Sequence, residues 1–220
     1  MLVTKSISIV IADDHLIVRQ GLHALLEAEP DLNVIGQTGD GLEAVDLVKR
    51  LNPDVAVLDL MMPGLNGLEV ARQLSKMTPR TKIIILSMYD DEGFVLEALS
   101  NGVSAYVLKD TGSADLINAV REVICGHRYL SPSLTDRAID VYEQMTKQGT
   151  MDKYETLTTR EREVLHLSAE GLTNNEIAHR LGISIRTAET HRSKLMHKLD
   201  VHTQADLTRY ALRRGIIPME

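Results

Sequence analysis

Residues 6–15 read SISIVIADDH, a β-favouring apolar run that ends directly on two carboxylates. A short β-rich run of this kind reads as a strand. The figure recurs along the first half of the chain. Strands are predicted at Ser6–Ala12, Asn33–Gln37, Val55–Leu58, Lys82–Leu86 and Ala105–Leu108. Between and after them, apolar residues at helical spacing predict helices over Leu16–Ala28, Leu42–Leu51, Gly67–Met77, Glu92–Asn101 and Ser113–Gly126. In the first of these Val18, Leu22, Leu25 and Leu26 form one stripe, and Pro30 marks its end. Five βα units in succession require a parallel sheet with helices on both faces, since each parallel crossover needs its own long connection.

In such α/β sheets ligands bind beyond the carboxyl ends of the strands. Those ends carry Asp13 and Asp14 after the first strand, Asp59 after the third, Ser87 after the fourth and Lys109 after the fifth. Any one Asp there could simply cap the next helix. Three carboxylates in one cleft repel one another unless a cation sits among them. A few oxygen ligands that leave room for water and phosphate suit Mg²⁺ better than zinc. An aspartate in that setting can attack a phosphoryl group to form an acyl phosphate, with Lys109 and the Ser87 hydroxyl placed to stabilise its oxygens. A hydrolase reading weakens at Met61, because a phosphohydrolase resembling the haloacid dehalogenase family would carry a second Asp there. His15, next to the acidic pair, reads as a helix-start residue without chemistry.

The 220 residues are enough for two cores. Aromatics make up 3 % of them, with no Trp and one Phe, so Leu, Ile, Val, Ala and Met must fill those cores. No apolar run approaches the roughly 20 residues that span a bilayer, and the N-terminus lacks a secretion signal. A cytoplasmic protein with no membrane partner is therefore expected. The single Cys125 reads as a buried small hydrophobe. The net charge of −7 is unevenly distributed. Residues 1–127 hold 10 Lys and Arg against 18 Asp and Glu, whereas Arg186–Arg214 hold 7 against 3. Only the later stretch is suited to attract phosphates.

Residues 128–156 are read as a linker, with a possible helix at Leu134–Met145. Beyond it the patterns are helical only. Thr158-x-x-Glu161 and Thr173-x-x-Glu176 are capping boxes, opening helices at Thr159–Glu170 and Asn174–Leu181. Ser184 caps Ile185–Leu199, and Thr203–Arg213 makes a fourth helix. A short helix, a turn containing Gly182 and a longer helix describe a helix-turn-helix. On the longer helix, Ala188, Leu195 and Leu199 share one side. Arg186, Thr190, Ser193 and His197 lie opposite, flanked by Glu189 and Lys194. Arg, Thr, Ser and Glu can meet base edges, while Arg192, Lys194 and Lys198 suit phosphates. A polar face on a protein-binding helical module remains the alternative.

The segments IADDH (11–15), VLDLMMPGLNGLE (57–69), LSMYD (86–90) and AYVLKD (105–110) resemble the receiver domain of two-component response regulators. LTTREREVLHLSAEGLTNNEIAHRLGISIRTAETHRSKLMHKL (157–199) is similar to the LuxR-type helix-turn-helix, which together point to the NarL/FixJ class. The resemblance implies a flavodoxin-like receiver over 1–127 and an all-α DNA-binding domain over 157–220. It implies Asp59 as phosphoacceptor and a Mg²⁺ site formed by Asp13, Asp14, Asp59 and the Met61 carbonyl. It makes Ser87 and Tyr106 a switch pair and gives Lys109 a phosphoryl oxygen to hold. Glu189, Thr190 and Ser193 map onto base-reading positions; some relatives have Lys where Glu189 stands. The implied function is a phosphorylation-dependent transcriptional regulator, not an enzyme beyond its own phosphorylation and dephosphorylation. Its partners would be double-stranded DNA, a cognate sensor histidine kinase, a second copy of itself and, as a further candidate, RNA polymerase. A phosphotransfer enzyme with a small substrate and a DNA-binding protein with an idle receiver are the rival readings.

Overall fold

The computed structural model describes residues 6–134 and 153–218. Two compact units divide it: one carries the sheet and the other the C-terminal helices. The first unit alternates β1 (Ile7–Ala12), α1 (Leu16–Glu27), β2 (Leu32–Thr38), α2 (Gly41–Leu51), β3 (Val55–Asp59), α3 (Gly67–Met77), β4 (Lys82–Ser87), α4 (Glu92–Ser100), β5 (Ala105–Leu108) and α5 (Ser113–Ile124). A two-residue strand, β6 (Tyr129–Leu130), follows. All pairings are parallel and the strand order is β2-β1-β3-β4-β5-β6.

Strand residues alternate between faces, and the core divides accordingly. Ile9 and Ile11, Val55 and Val57, Ile84 and Leu86, and Ala105 and Val107 pack with Leu26 of α1 and Leu116, Ala119, Val120 and Val123 of α5. The alternate set, including Val10, Ala56, Leu58, Ile83, Ile85 and Tyr106, is equally buried and faces α2, α3 and α4. Local chemistry sets the helix limits. Asp40 accepts hydrogen bonds from the N–H groups of Leu42 and Glu43 to start α2, and Asn52 ends it at φ 46°.

The sheet has six strands where the sequence pattern predicts five. β6 falls in the stretch read as linker, because two residues are too few to display an alternation. It is held by edge pairing instead: Tyr129 N–H donates to the Ser104 carbonyl at 3.1 Å and Ser131 N–H to the Tyr106 carbonyl at 3.0 Å. The Tyr129 and Ser131 hydroxyls both donate to Asp115 of α5. Cys125 is exposed rather than buried. It follows the last residue of α5, where Val123 is the inward-facing member and its successors turn to solvent. Most of the predicted Leu134–Met145 helix lies outside the described residues.

In the second unit a 3₁₀ turn (Lys153–Thr156) precedes α6 (Thr159–Ala169), α7 (Asn174–Leu181), α8 (Ile185–Leu199) and α9 (Gln204–Arg213). Both capping boxes are formed, Thr158 with Glu161 and Thr173 with Glu176. Gly182 closes α7 at φ 62°, and the Ser184 hydroxyl accepts from Thr187 N–H to open α8. Arg162 stacks on the buried Tyr154 ring, its Cζ 4.3 Å from the centroid, and fastens the 3₁₀ turn to the bundle. No described helix is long and apolar enough to cross a membrane.

One glycine of the sheet unit is dictated by contact. A Cβ on Gly67 would stand 2.2 Å from the Asp59 carbonyl oxygen, and Gly67 N–H donates to the Leu60 carbonyl at 2.8 Å. Gly67→Ala must displace the backbone that carries Asp59 and should destabilise the protein by roughly 3 kcal/mol. Gly21→Ala, within α1 with nothing inside 4 Å of the new methyl, should stabilise by up to about 1 kcal/mol. Urea denaturation of the two variants measures the contrast.

Candidate functional site

The alternation that sorts the core also sorts the polar residues at the strand ends. Asp59 continues the Val55, Val57 set, and Asp13 and Lys109 prolong the matching sets of β1 and β5. Ser87 and Tyr106 lie on the opposite parity, toward α4. The sequence-predicted residues of the sheet are thus brought together as two adjacent groups.

In the first group, the Lys109 ammonium lies 2.8 Å from Asp13 Oδ2 and 3.0 Å from Asp59 Oδ1. Asp13 is 1 % exposed and Asp59 6 %. Carboxylate oxygens of Asp13, Asp14 and Asp59, together with a ring nitrogen of His15, lie within 4.8 Å of one another. Burial pushes the Asp59 carboxyl up from 3.8 to about 6; Lys109 opposes the rise, and the charges of Asp13 and Asp14 add to it. Burial also disfavours the Lys109 ammonium, but its hydrogen bonds and charge pairing with Asp13 and Asp59 outweigh that and raise its pKa. One lysine therefore faces three carboxylates, and the excess negative charge fits a divalent cation.

In the second group, Ser87 and Tyr106 are both fully buried. Ser87 Oγ accepts from Tyr89 N–H at 2.9 Å, and the Tyr106 hydroxyl donates to the Tyr89 carbonyl at 2.7 Å. Both ends of Tyr89's backbone are thereby tied, one to each member of the pair. Burial raises the Tyr106 hydroxyl well above the usual phenol range, so it remains a donor. The Tyr89 carbonyl is a partner that sequence patterns cannot identify. Arg19 is another such residue: its guanidinium donates to the Asp13 carbonyl, holding the turn that aims both carboxylates.

On α8 the buried side is Ala188, Leu195 and Leu199. Arg186, Glu189, Thr190, Ser193, Lys194 and His197 are exposed, as the helical spacing predicts. Arg192 and Lys198 differ from the expected free cations. Arg192 donates to Asn174 Oδ1 at 3.0 Å and also to Gln204. Lys198 pairs with Glu161 Oε2 at 2.6 Å and donates to the Thr156 carbonyl at 3.1 Å. Glu161 already serves the α6 capping box, so Lys198 finds a nearly buried carboxylate that a helical projection of α8 does not contain.

Comparison with known proteins accounts for both units. Residues 9–121 match the response regulator receiver domain, and residues 155–211 match the luxR family of bacterial regulatory proteins. The oxygen regulatory protein NreC of Staphylococcus carnosus is 39 % identical over 213 residues, covering 95 % of this chain and 98 % of that protein. A LuxR-family two-component response regulator from Aurantimonas aligns at 32 % identity and a TM-score of 0.60, over 63 % of this chain and 99 % of that one. The RcsB response regulator of Salmonella enterica serovar Typhimurium, solved on a promoter with a phosphomimetic, aligns at 29 % identity and a TM-score of 0.59, over 94 % of this chain and 98 % of that one. With a receiver-type sheet carrying the buried acidic cleft and a luxR-type helical unit after it, the chain belongs to the two-component response regulators of the NarL/FixJ class.

Proposed function

We propose that Asp59 is the phosphoacceptor of this regulator and that its phosphorylation controls DNA binding through α8. The supporting observation is the gathering of Asp13, Asp14, Asp59 and Lys109 at the strand ends. An Asp59 carboxylate oxygen attacks phosphorus, the bond from phosphorus to the donor breaks, and the leaving group takes the electron pair. The donor is a phosphohistidine of a sensor kinase or a small acyl phosphate. Asp13, Asp14 and Asp59, with the Met61 carbonyl, are the groups that would hold Mg²⁺. A divalent cation there supplies positive charge that screens the phosphoryl oxygens from the carboxylates. Lys109 releases part of its pairing with Asp59 to bind one phosphoryl oxygen, and the Ser87 hydroxyl turns to another. The turn of Ser87 releases the Tyr89 N–H it now accepts from, and Tyr89 is also the partner of Tyr106.

The residue roles assigned to DNA follow the exposed face of α8. Arg186, Glu189, Thr190, Ser193 and His197 face the bases and Lys194 a phosphate, with α8 in the major groove. Arg192 reaches a phosphate only by leaving Asn174, and Lys198 acts mainly in holding α8 to α6. Residues 1–127 form the receiver, 128–156 the connection and 157–220 the DNA-binding domain. Phosphorylation favours a dimer that spans two half-sites; the RcsB relative has been solved as dimers bound to DNA. A cytoplasmic location follows from this role.

Acetyl phosphate with Mg²⁺ should add about 80 Da to the Asp59 peptide, the mass of one phosphoryl group. Asp59→Asn should lose that adduct and any phosphodonor-enhanced DNA binding; enhancement that persists in the variant refutes the switch. In chelator, the raised carboxyl makes the Asp59 contribution to stability full below pH 3.8 and lost as pH rises through about 6. Metal-free Asp59→Asn should therefore be more stable than wild type at pH 7, by on the order of 2–3 kcal/mol, with the difference vanishing near pH 4. Thermal unfolding across that range tests the sign. Lys194→Ala should weaken binding to all DNA sequences and reduce the salt slope by about 1, whereas Thr190→Ala should cost roughly 1–3 kcal/mol at one base-pair position. Fluorescence anisotropy against salt and operator variants separates the two effects.

A further inference from the structure

His15 belongs to the carboxylate cluster by position, yet the phosphoryl chemistry assigns it nothing. It occupies the N-cap of α1, but its side chain makes no capping hydrogen bond. Its backbone N–H donates to Asp13 Oδ1 at 2.8 Å, which fixes the main chain, while the side chain remains 69 % exposed. Nδ1 lies 2.7 Å from Asp14 Oδ1 and 3.7 Å from Asp13 Oδ1. Adjacent ligands in an octahedral shell with bonds of about 2.1 Å stand about 3 Å apart. The His15–Asp14 separation is close to that value, and the Asp13 oxygen is within a modest side-chain turn of it.

Accessibility points the same way. Lys109 already engages Asp13 Oδ2 and Asp59 Oδ1 on the buried side of the cluster. Asp14 and His15 are its two exposed members. A cation entering from solvent meets a carboxylate and an imidazole together before it reaches the buried aspartates. Imidazole discriminates between cations in a way carboxylates do not. Mg²⁺ prefers oxygen ligands and retains its water, whereas borderline ions such as Co²⁺ and Zn²⁺ gain from a nitrogen donor.

We infer that His15 Nδ1 is an additional protein ligand of the cation site and that through it the site takes up divalent transition ions of borderline softness. The inference rests on the reading of Asp13, Asp14 and Asp59 as a cation site and assigns that site a selectivity of its own. His15 lies outside the phosphoryl-transfer roles, so its loss should leave Mg²⁺ binding in place.

The test uses the full chain stripped of metal and titrated calorimetrically with Mg²⁺ and with Co²⁺, at one pH well above the ordinary imidazole value of about 6.5. His15→Ala should weaken Co²⁺ binding at least about tenfold, since loss of even an outer-shell partner costs roughly 10–100-fold, and change Mg²⁺ binding by less than about twofold. Proton NMR of the Co²⁺ form should show hyperfine-shifted imidazole signals in the wild type that are absent from His15→Ala. The retained Mg²⁺ affinity shows that the variant is folded. Equal effects on both ions, or shifted ring signals that survive in His15→Ala, would overturn the inference and leave His15 as a hydrogen-bonding neighbour of Asp14. Failure of the wild type to bind either ion, or binding untouched by the double change Asp13→Ala and Asp14→Ala, would instead overturn the cation site on which it rests.

Discussion

Three carboxylates brought to one end of a parallel sheet repel one another, and the Lys109 ammonium offsets part of that repulsion. It reaches Asp13 from a position 96 residues away in the chain, and it touches Asp59 as well. The compensation is incomplete: burial above all, and then the charges of Asp13 and Asp14, keep the Asp59 carboxyl raised despite Lys109. Much else follows from that residual imbalance. An under-neutralised buried carboxylate favours added positive charge, so the cleft suits a cation. Lys109 shares its bonds between two acids, so its hold on Asp13 and its hold on Asp59 are not independent.

The neighbouring Ser87–Tyr89–Tyr106 group is hydrogen-bonded into one unit beside the cleft. Ser87 and Tyr106 are linked through Tyr89, because each bonds a different atom of its backbone. Tyr106 has a second attachment. Its carbonyl accepts from Ser131 N–H, so the short β6 strand is tied to the same residue. Asp115 then joins Tyr129 and Ser131 to α5. A perturbation at Tyr106 thus has a hydrogen-bonded path to the end of the sheet unit, where the chain continues toward the helical one. Spatial continuity of this kind identifies the elements available for coupling, while the coupling itself is a matter of differential energies.

In the helical unit Lys194 and Lys198 of α8 have contrasting surroundings. Both stand on the same helix and read alike in a projection. Lys194 is exposed, whereas Lys198 is committed to Glu161, a carboxylate that also caps α6. Glu161 in turn sits below its ordinary pKa: burial opposes the charged form, but its bonds to Lys198 and Thr158 prevail. The pair therefore fixes the placement of α8 on α6, and with it the position of the exposed residues of α8.

Local pattern determined a large part of this protein. β-rich runs announced the five principal strands and put Asp13, Asp14, Asp59, Ser87 and Lys109 at their carboxyl ends, while the packed sheet divided those residues between its two faces. The capping boxes at Thr158 and Thr173 opened their helices where the sequence put them, because a cap is satisfied within four residues. The exposed face of α8 was equally legible from its 100° spacing. Tertiary structure alone decided the rest: the sixth strand, the Tyr89 backbone as common partner of Ser87 and Tyr106, the Arg19 bond to the Asp13 carbonyl, the capture of Lys198 and the turning of the His15 ring onto Asp14. Each of these depends on which group, often far along the chain, lies within about 3 Å once strands and helices are packed. A periodic pattern records which way a side chain faces, but it carries no information about what will be waiting there.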